Sequence, residues 1–176
     1  MGWCWSLKMK QVILILLKKD VEVEKIRKKY HPDYKKFEPH ISLVCPFEVN
    51  NQDELFLHIK ESLKGIKSFD LSLEGLQKSA KGHYLYLLVG RGREKVMKLY
   101  WALNKSILKD FKNEDMPKYI PHLSLGFFKS KKEIDDAIED MGNSGVCFKT
   151  KISSIQLVTL NKDSSLKSVN NFGLNI

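Results

Sequence analysis

Apolar and polar positions alternate in two short stretches that share one residue order. Pro39-His40-Ile41-Ser42-Leu43 and, 82 positions later, Pro121-His122-Leu123-Ser124-Leu125 both read Pro, His, aliphatic, Ser, Leu. A period of two is that of a half-buried β-strand, in which residues two apart share a face. His40 and Ser42 are therefore expected to look into one space while Ile41 and Leu43 pack inward, and His122, Ser124, Leu123 and Leu125 repeat the arrangement. One such copy would read as an ordinary solvated strand face that carries a histidine. Five residue types repeated in one order point instead to a site with two imidazoles.

The remaining pattern fills in around these strands. Gln11 to Lys18 reads as a strand, and Val21 to Tyr30 as a basic helix with Asp20 as N-cap. Pro32 breaks that helix, and Lys35 to Pro39 form the loop that delivers the first motif strand, His40 to about Phe47. Pro46 marks that strand as an edge or its end. Leu55, Phe56, Ile59 and Leu63 are spaced as in a helix over Gln52–Lys64 that Gly65 terminates. Phe69–Glu74 and Tyr84–Val89 read as strands, and Glu94–Phe111 as one long amphipathic helix. A loop with Pro117 and Pro121 leads to the second motif strand, His122 to about Phe128. Ser130 caps a helix over Lys131–Met141 that Gly142 and Gly145 end. Val146–Thr150, Ile152–Leu160 and Leu166–Leu174 follow as strands.

Set side by side, residues 11–78 and 83–160 give the same five elements: strand, helix, motif strand, helix, strand. No low-complexity linker divides them. The expectation is a single bilobal α+β domain over residues 9–176, pseudo-twofold, each lobe an antiparallel sheet with outer helices. That symmetry would set His40 and His122 opposite each other across a central cleft.

Composition narrows the choice of partner. Thirty Lys and Arg against 21 Asp and Glu leave a formal charge of +9 on 176 residues, a surplus that favours an anionic partner or else serves solubility. No apolar run approaches the roughly 20 residues of a membrane helix, and Val12–Leu17 reads as a buried strand. Cys4, Cys45 and Cys147 are scattered and odd in number, which suits a reducing cytoplasm, with Cys45 and Cys147 acting as small hydrophobes. Met1-Gly2-Trp3-Cys4-Trp5-Ser6 fits a loose N-myristoylation pattern. A start codon assigned too early, with Met9 opening the first strand, accounts for it more simply, and residues 1–8 are treated as peripheral.

Two imidazoles facing each other across a phosphodiester can divide the proton transfers of its cleavage. One removes a proton from the attacking hydroxyl or water and the other protonates the departing alkoxide. An ordinary histidine pKa near 6.5 suits both jobs. The Ser42 and Ser124 hydroxyls can donate to nonbridging phosphate oxygens, where charge builds. This logic requires no metal, and no third ligand keeps metal-like spacing with the two histidines.

The repeated H-x-[ST] motif, one copy per half, together with the stretch from Tyr30 to Phe47, resembles the two-histidine phosphoesterase superfamily. The likeness runs over nearly the whole chain from about residue 10. It is nearest to the bacterial branch of 2′-5′ RNA ligase-like or cyclic phosphodiesterase-like proteins. The resemblance implies a bilobal fold with a basic groove, no cofactor, and action on 2′,3′-cyclic phosphates or 2′-5′ phosphodiester bonds of RNA or nucleotides. His40 and His122 would be the catalytic pair, and Ser42 and Ser124 would hold the phosphate. In hydrolysis of a cyclic phosphate His122 would activate water and His40 would protonate the 3′-oxygen; ligation exchanges the roles. Two departures stand out. Many relatives have Thr at the Ser42 and Ser124 positions. Ligase-type relatives often have Arg just after the second motif, where this chain has Gly126-Phe127-Phe128-Lys129, so hydrolysis is favoured over ligation.

Beyond the motifs, Tyr34 and Tyr119 are placed to stack on nucleobases or, equally, to anchor their loops, and Lys129 to contact substrate. His31, His58 and His83 read as surface or structural residues. Lys28, Lys29, Lys35 and Lys36 read as a solvated face, and Arg91-Gly92-Arg93 as a tight turn without a role. The competing reading of the whole is a non-catalytic basic RNA-binding module. A third keeps the chemistry and changes the substrate to 2′-5′ oligoadenylate or a cyclic phosphate of ADP-ribose. A cytoplasmic monomer is expected.

Overall fold

Alternating strands with one apolar face must bury that face, and this chain does so with two sheets that share a core. A computed structural model describes residues 10–80, 83–111, 118–142 and 146–175. In chain order these give β1 Gln11–Leu16, α1 Val21–Tyr30, β2 His40–Phe47, α2 Gln52–Ser62, β3 Phe69–Lys78 and β4 Tyr84–Val89. Then come α3 Arg93–Leu103, β5 His122–Phe127, α4 Lys131–Met141, β6 Phe148–Ile152, β7 Ser154–Leu160 and β8 Leu166–Gly173. The strands form two four-stranded sheets, β2-β1-β7-β8 and β5-β4-β3-β6. Every neighbouring pair is antiparallel.

Laid over each other, the two orders match β2 with β5 and β1 with β4, so each motif strand is a sheet edge. The α+β, two-lobed expectation holds in this form, with one refinement. A lobe is not a sequence half. The last strand of each half crosses over, β3 joining β4 and β5, and β7 joining β1 and β2. Ser153 alone separates β6 from β7, and there the chain steps from one sheet to the other. The helices cross as well: α1 packs against β5 and α3 against β2.

This exchange makes one continuous core. Ile13, Ile15, Ile41 and Leu43 from one sheet cluster with Leu87, Val89, Leu123 and Leu125 from the other, and with Leu55, Ile59, Val96 and Leu99 from the helices. Each such side chain contributes roughly 1.5–3 kcal/mol when fully buried. Helix starts follow local chemistry. The Asp20 carboxylate accepts from the backbone N–H of Glu22 and Val23, and the Ser130 hydroxyl from Glu133, which satisfies orphan donors of the first turn.

Several bounds differ from the sequence expectation. The helix expected over Glu94–Phe111 begins at Arg93 and stops at Leu103. Buried Asn104 turns its amide back, donating to Tyr100 O at 2.8 Å and to Leu43 O of β2 at 2.9 Å, and a 3-10 turn follows at Ser106–Leu108. The strand expected over Phe69–Glu74 runs on to Lys78, across Gly75 at φ +77°. Helix α2 ends at Ser62, ahead of Gly65 at φ +71°, and β1 ends at Leu16. The final three strands shift by up to two residues. Cys147 is exposed, not a small hydrophobe in the core, whereas Cys45 is half-buried. The Met1–Ser6 pattern, Met9, Pro117 and Gly145 lie outside the described residues.

Candidate active site

The backbone delivers the two motifs in matching ways. Leu17 N–H donates to Pro39 O at 2.8 Å, and Val89 N–H to Pro121 O at 3.1 Å, tying each proline to the inner strand of its sheet. Leu16 then pairs with His40 and Leu14 with Ser42, as Leu88 pairs with His122 and Tyr86 with Ser124. Ile41, Leu43, Leu123 and Leu125 are buried on the opposite face. Strands β2 and β5 pack against each other, and His122 lies near enough to His40 to feel its charge.

Each imidazole is held the same way. His40 Nδ1–H donates to Glu38 O at 2.8 Å, and His122 Nδ1–H to Ile120 O at 2.6 Å. A carbonyl only accepts, so both rings keep their proton on Nδ1 and turn a bare Nε2 to the site. The two rings are electrostatically coupled, because a proton on His40 depresses His122. Burial first, and that repulsion last, bring His122 down to about 4 against the pull of its Ile120 bond. His40 is also lowered from 6.5, by burial and by the nearby Arg27 cation, while the Glu38 bond opposes. Ser42 is exposed and Ser124 half-buried. Neither hydroxyl has a hydrogen-bond partner among the described residues, which leaves both free to donate to a ligand.

Three further residues shape this site. Arg27 is 1% exposed, donates to Glu24 Oε1 and Phe37 O at 2.8 Å each, and keeps a buried Nε without a partner. Its grip on Phe37 O steadies the loop that supplies the Glu38 carbonyl to His40. The helical spacing Val23, Ile26, Arg27, Tyr30 was the available signal, since it sets Arg27 on the apolar stripe. His31, expected to be a surface or structural residue, lies near enough to His40 to feel its charge, and burial first takes it down to about 4. Tyr86 packs on His122 with ring centroids 3.7 Å apart; its place in the alternation Tyr84, Tyr86 against Leu85, Leu87 was the signal there.

The other sequence candidates fall apart from one another. Tyr119 donates its hydroxyl to Ser42 O at 2.8 Å and stacks on Tyr100 at 3.8 Å and 3°. It anchors its segment to β2, and burial pushes its phenol pKa up. Tyr34 lies in the turn ahead of the first motif with the Lys35 ammonium 6.0 Å from its ring centre. Lys129 is exposed beyond the far end of β5, seven residues and roughly 20 Å along an extended chain from His122. His58 is structural, its Nε2–H donating to Leu103 O at 2.9 Å. Among the described residues no group of three or more His, Cys, Asp or Glu side chains is arranged to hold a metal. No helix among them is long and apolar enough to cross a membrane.

Two crossed antiparallel lobes, with a histidine strand on the facing edge of each, define a two-histidine phosphoesterase architecture. The chain belongs to the 2′-5′ RNA ligase superfamily, whose family model matches residues 17–164. A Staphylococcus haemolyticus protein provisionally named a phosphoesterase is 24% identical over 145 residues, covering 81% of this chain and 83% of its own. A Bacillus licheniformis protein named likewise is 28% identical over 117 residues, 64% of this chain and 66% of its own. The crystal structure of apo LigT from E. coli superposes with a TM-score of 0.62 at 14% identity, covering 97% of this chain and all of LigT. LigT complexed with 3′-AMP (TM-score 0.60) and TT0787 of Thermus thermophilus (TM-score 0.60) share the fold at the same 14% identity. They cover 96% and 94% of this chain, and 99% and 98% of their own.

Proposed function

We propose that the protein is a phosphodiesterase acting on 2′,3′-cyclic phosphate or 2′-5′ phosphodiester bonds of RNA or nucleotides, with His122 as general base and His40 as general acid. The observation that carries this is the pair of coupled imidazoles, each with Nδ1 tied to a carbonyl and Nε2 free. Two close imidazoles do not both hold a proton, so the pair titrates as a unit. A proton on one ring disfavours a proton on the other, and we assign the shared proton to His40, the proposed acid. A bound phosphodiester brings negative charge that favours that protonation.

In cyclic phosphate hydrolysis, water attacks phosphorus and gives its proton to His122 Nε2. The bond from phosphorus to the 3′-oxygen breaks, and His40 Nε2–H protonates that oxygen, leaving a 2′-monophosphate. Ser42 and Ser124 donate to the nonbridging oxygens as charge develops. Both proton transfers are supplied by side chains, so turnover is expected to survive a chelator. That LigT, which shares the fold, has been crystallised with 3′-AMP supports a nucleotide ligand. The test is incubation with nucleoside 2′,3′-cyclic phosphates in EDTA. A single 2′-monophosphate product, lost in His40→Ala and in His122→Ala, is expected. Tight RNA binding without turnover, indifferent to both substitutions, would establish the binding-module reading instead.

A further inference from the structure

The open face of the β5-β4 pair carries a continuous run of rings that begins at the site and leads away from it. Tyr86 lies on His122; Tyr84 follows at 6.1 Å and 18° from Tyr86; Phe127 meets Tyr84 at 4.9 Å; His83 stacks on Phe127 at 5.8 Å and 28°. A register shift between the Leu85–Gly126 and Tyr86–Ser124 pairs puts Phe127 on this face, since strict alternation from Ser124 would have presented Gly126. Near the histidine the track is covered, with Tyr86 at 8% exposure. At its outer end it is open, with Tyr84 at 39% and Phe127 at 41%.

Adjacent exposed aromatic rings forgo burial that a core would reward. A net charge of +9 makes a polyanion the complementary occupant. Exposed Lys129 sits two residues past Phe127 and adds a cation in sequence to the outer end of the run. Base-on-ring stacking tolerates any sequence, because every base has a π-face.

We infer that the exposed rings Tyr84, Phe127 and His83, which continue from buried Tyr86 at the site, are a binding surface for the bases of single-stranded RNA flanking the scissile phosphate, so that an RNA end and not a lone nucleotide is the favoured substrate. This rests on the phosphodiesterase reading above for the identity of the scissile bond. The proposal commits to RNA; a protein segment on the same face is an outcome of the test.

The experiment compares short oligouridine ending in a 2′,3′-cyclic phosphate with uridine 2′,3′-cyclic phosphate, by KM, and measures oligouridine binding by fluorescence anisotropy. The wild-type chain and the Tyr84→Leu and Phe127→Leu variants are each used at full length. The wild type is expected to favour the oligonucleotide by tenfold or more, and each variant to lose about tenfold of that preference and of the binding. Both rings are on the surface, so circular dichroism of two independent variants separates lost stacking from lost folding. Equal KM values for the two substrates in the wild type would overturn the track and leave the activity standing. A preference that both folded variants retain would also overturn it, and would return the exposed rings to a protein partner. Ring-dependent oligouridine binding with no turnover of either substrate would sink the phosphodiesterase reading and leave the track.

Discussion

The two motif strands carry the same residues in unlike surroundings. Across from Ser42 stands buried Leu14; across from Ser124 stands Tyr86. His40 has Phe37 at 5.7 Å and 53° and the buried Arg27 guanidinium nearby, whereas His122 lies on Tyr86 at 3.7 Å. Backbone symmetry sets where the imidazoles are, and the unlike neighbours set what each can do. Environments that push two like groups apart in pKa are how paired residues come to hold acid and base roles.

The largest expected effect comes from removing either imidazole. His40→Ala and His122→Ala should each cut cyclic phosphate turnover by about 10²–10⁴-fold. An aryl phosphodiester whose leaving group departs without protonation breaks the tie. His40→Ala should recover most of its rate on that ester and His122→Ala should not. Recovery by His122→Ala alone would reverse the assignment.

Next in size is Arg27→Met. Its partner Glu24 remains 29% exposed, so the loss in urea unfolding should sit near about 3 kcal/mol, the low end for breaking a buried charged contact. Taking the cation away from His40 should also move the upper limb of the pH–rate profile towards 6.5. Arg27→Lys keeps the charge but not the fork; it should destabilise while leaving that limb low. A limb unmoved by Arg27→Met would show that burial alone sets His40.

Arg27 marks where the sequence stopped being legible. Motif strands and caps are local, and so they could be read: two-residue alternation fixes the facing of His40 and Ser42, and Asp20 and Ser130 reach N–H groups within three residues of themselves. What depends on distant contacts could not be read. Helix α3 continues as an apolar stripe past Leu103, yet it ends because Asn104 is recruited by Leu43 O, 61 residues away. The crossing of β3 into the other sheet leaves no mark on alternation, since a strand presents the same pattern to either partner. Spacing sets Arg27 on the apolar stripe of α1, but its capture by Phe37 O, ten residues on, depends on the path of the following loop.

The pH dependence is a middle-sized effect with a definite sign. His122 must be neutral and His40 protonated, so kcat/KM should rise with pH through about 4 and fall again below 6.5, an optimum on the acid side of neutrality. Stability should follow His122 together with His31. His31 and His122, both near 4 when folded and near 6.5 when unfolded, bind more protons in the unfolded chain between those values. Stability is then full above about 6.5 and declines as pH falls towards 4. Urea midpoints that stay flat over that interval would contradict the burial of both rings.

The smallest effect concerns the tie between the two halves. Tyr119 precedes the second motif and holds Ser42 O of the first, with one ring face covered by Tyr100. Anchoring and base stacking make opposite demands on Tyr119→Phe. A stacking platform works as well with Phe, so that role predicts unchanged stability. An anchor needs the hydroxyl, and its loss leaves a carbonyl of edge strand β2 without that partner, at a cost of about 1 kcal/mol. Anchoring predicts a lower urea midpoint for Tyr119→Phe with the ring still packed on Tyr100. It also predicts a larger loss for Tyr119→Leu, which gives up the ring contact too. Equal midpoints for wild type and Tyr119→Phe would return this tyrosine to substrate binding.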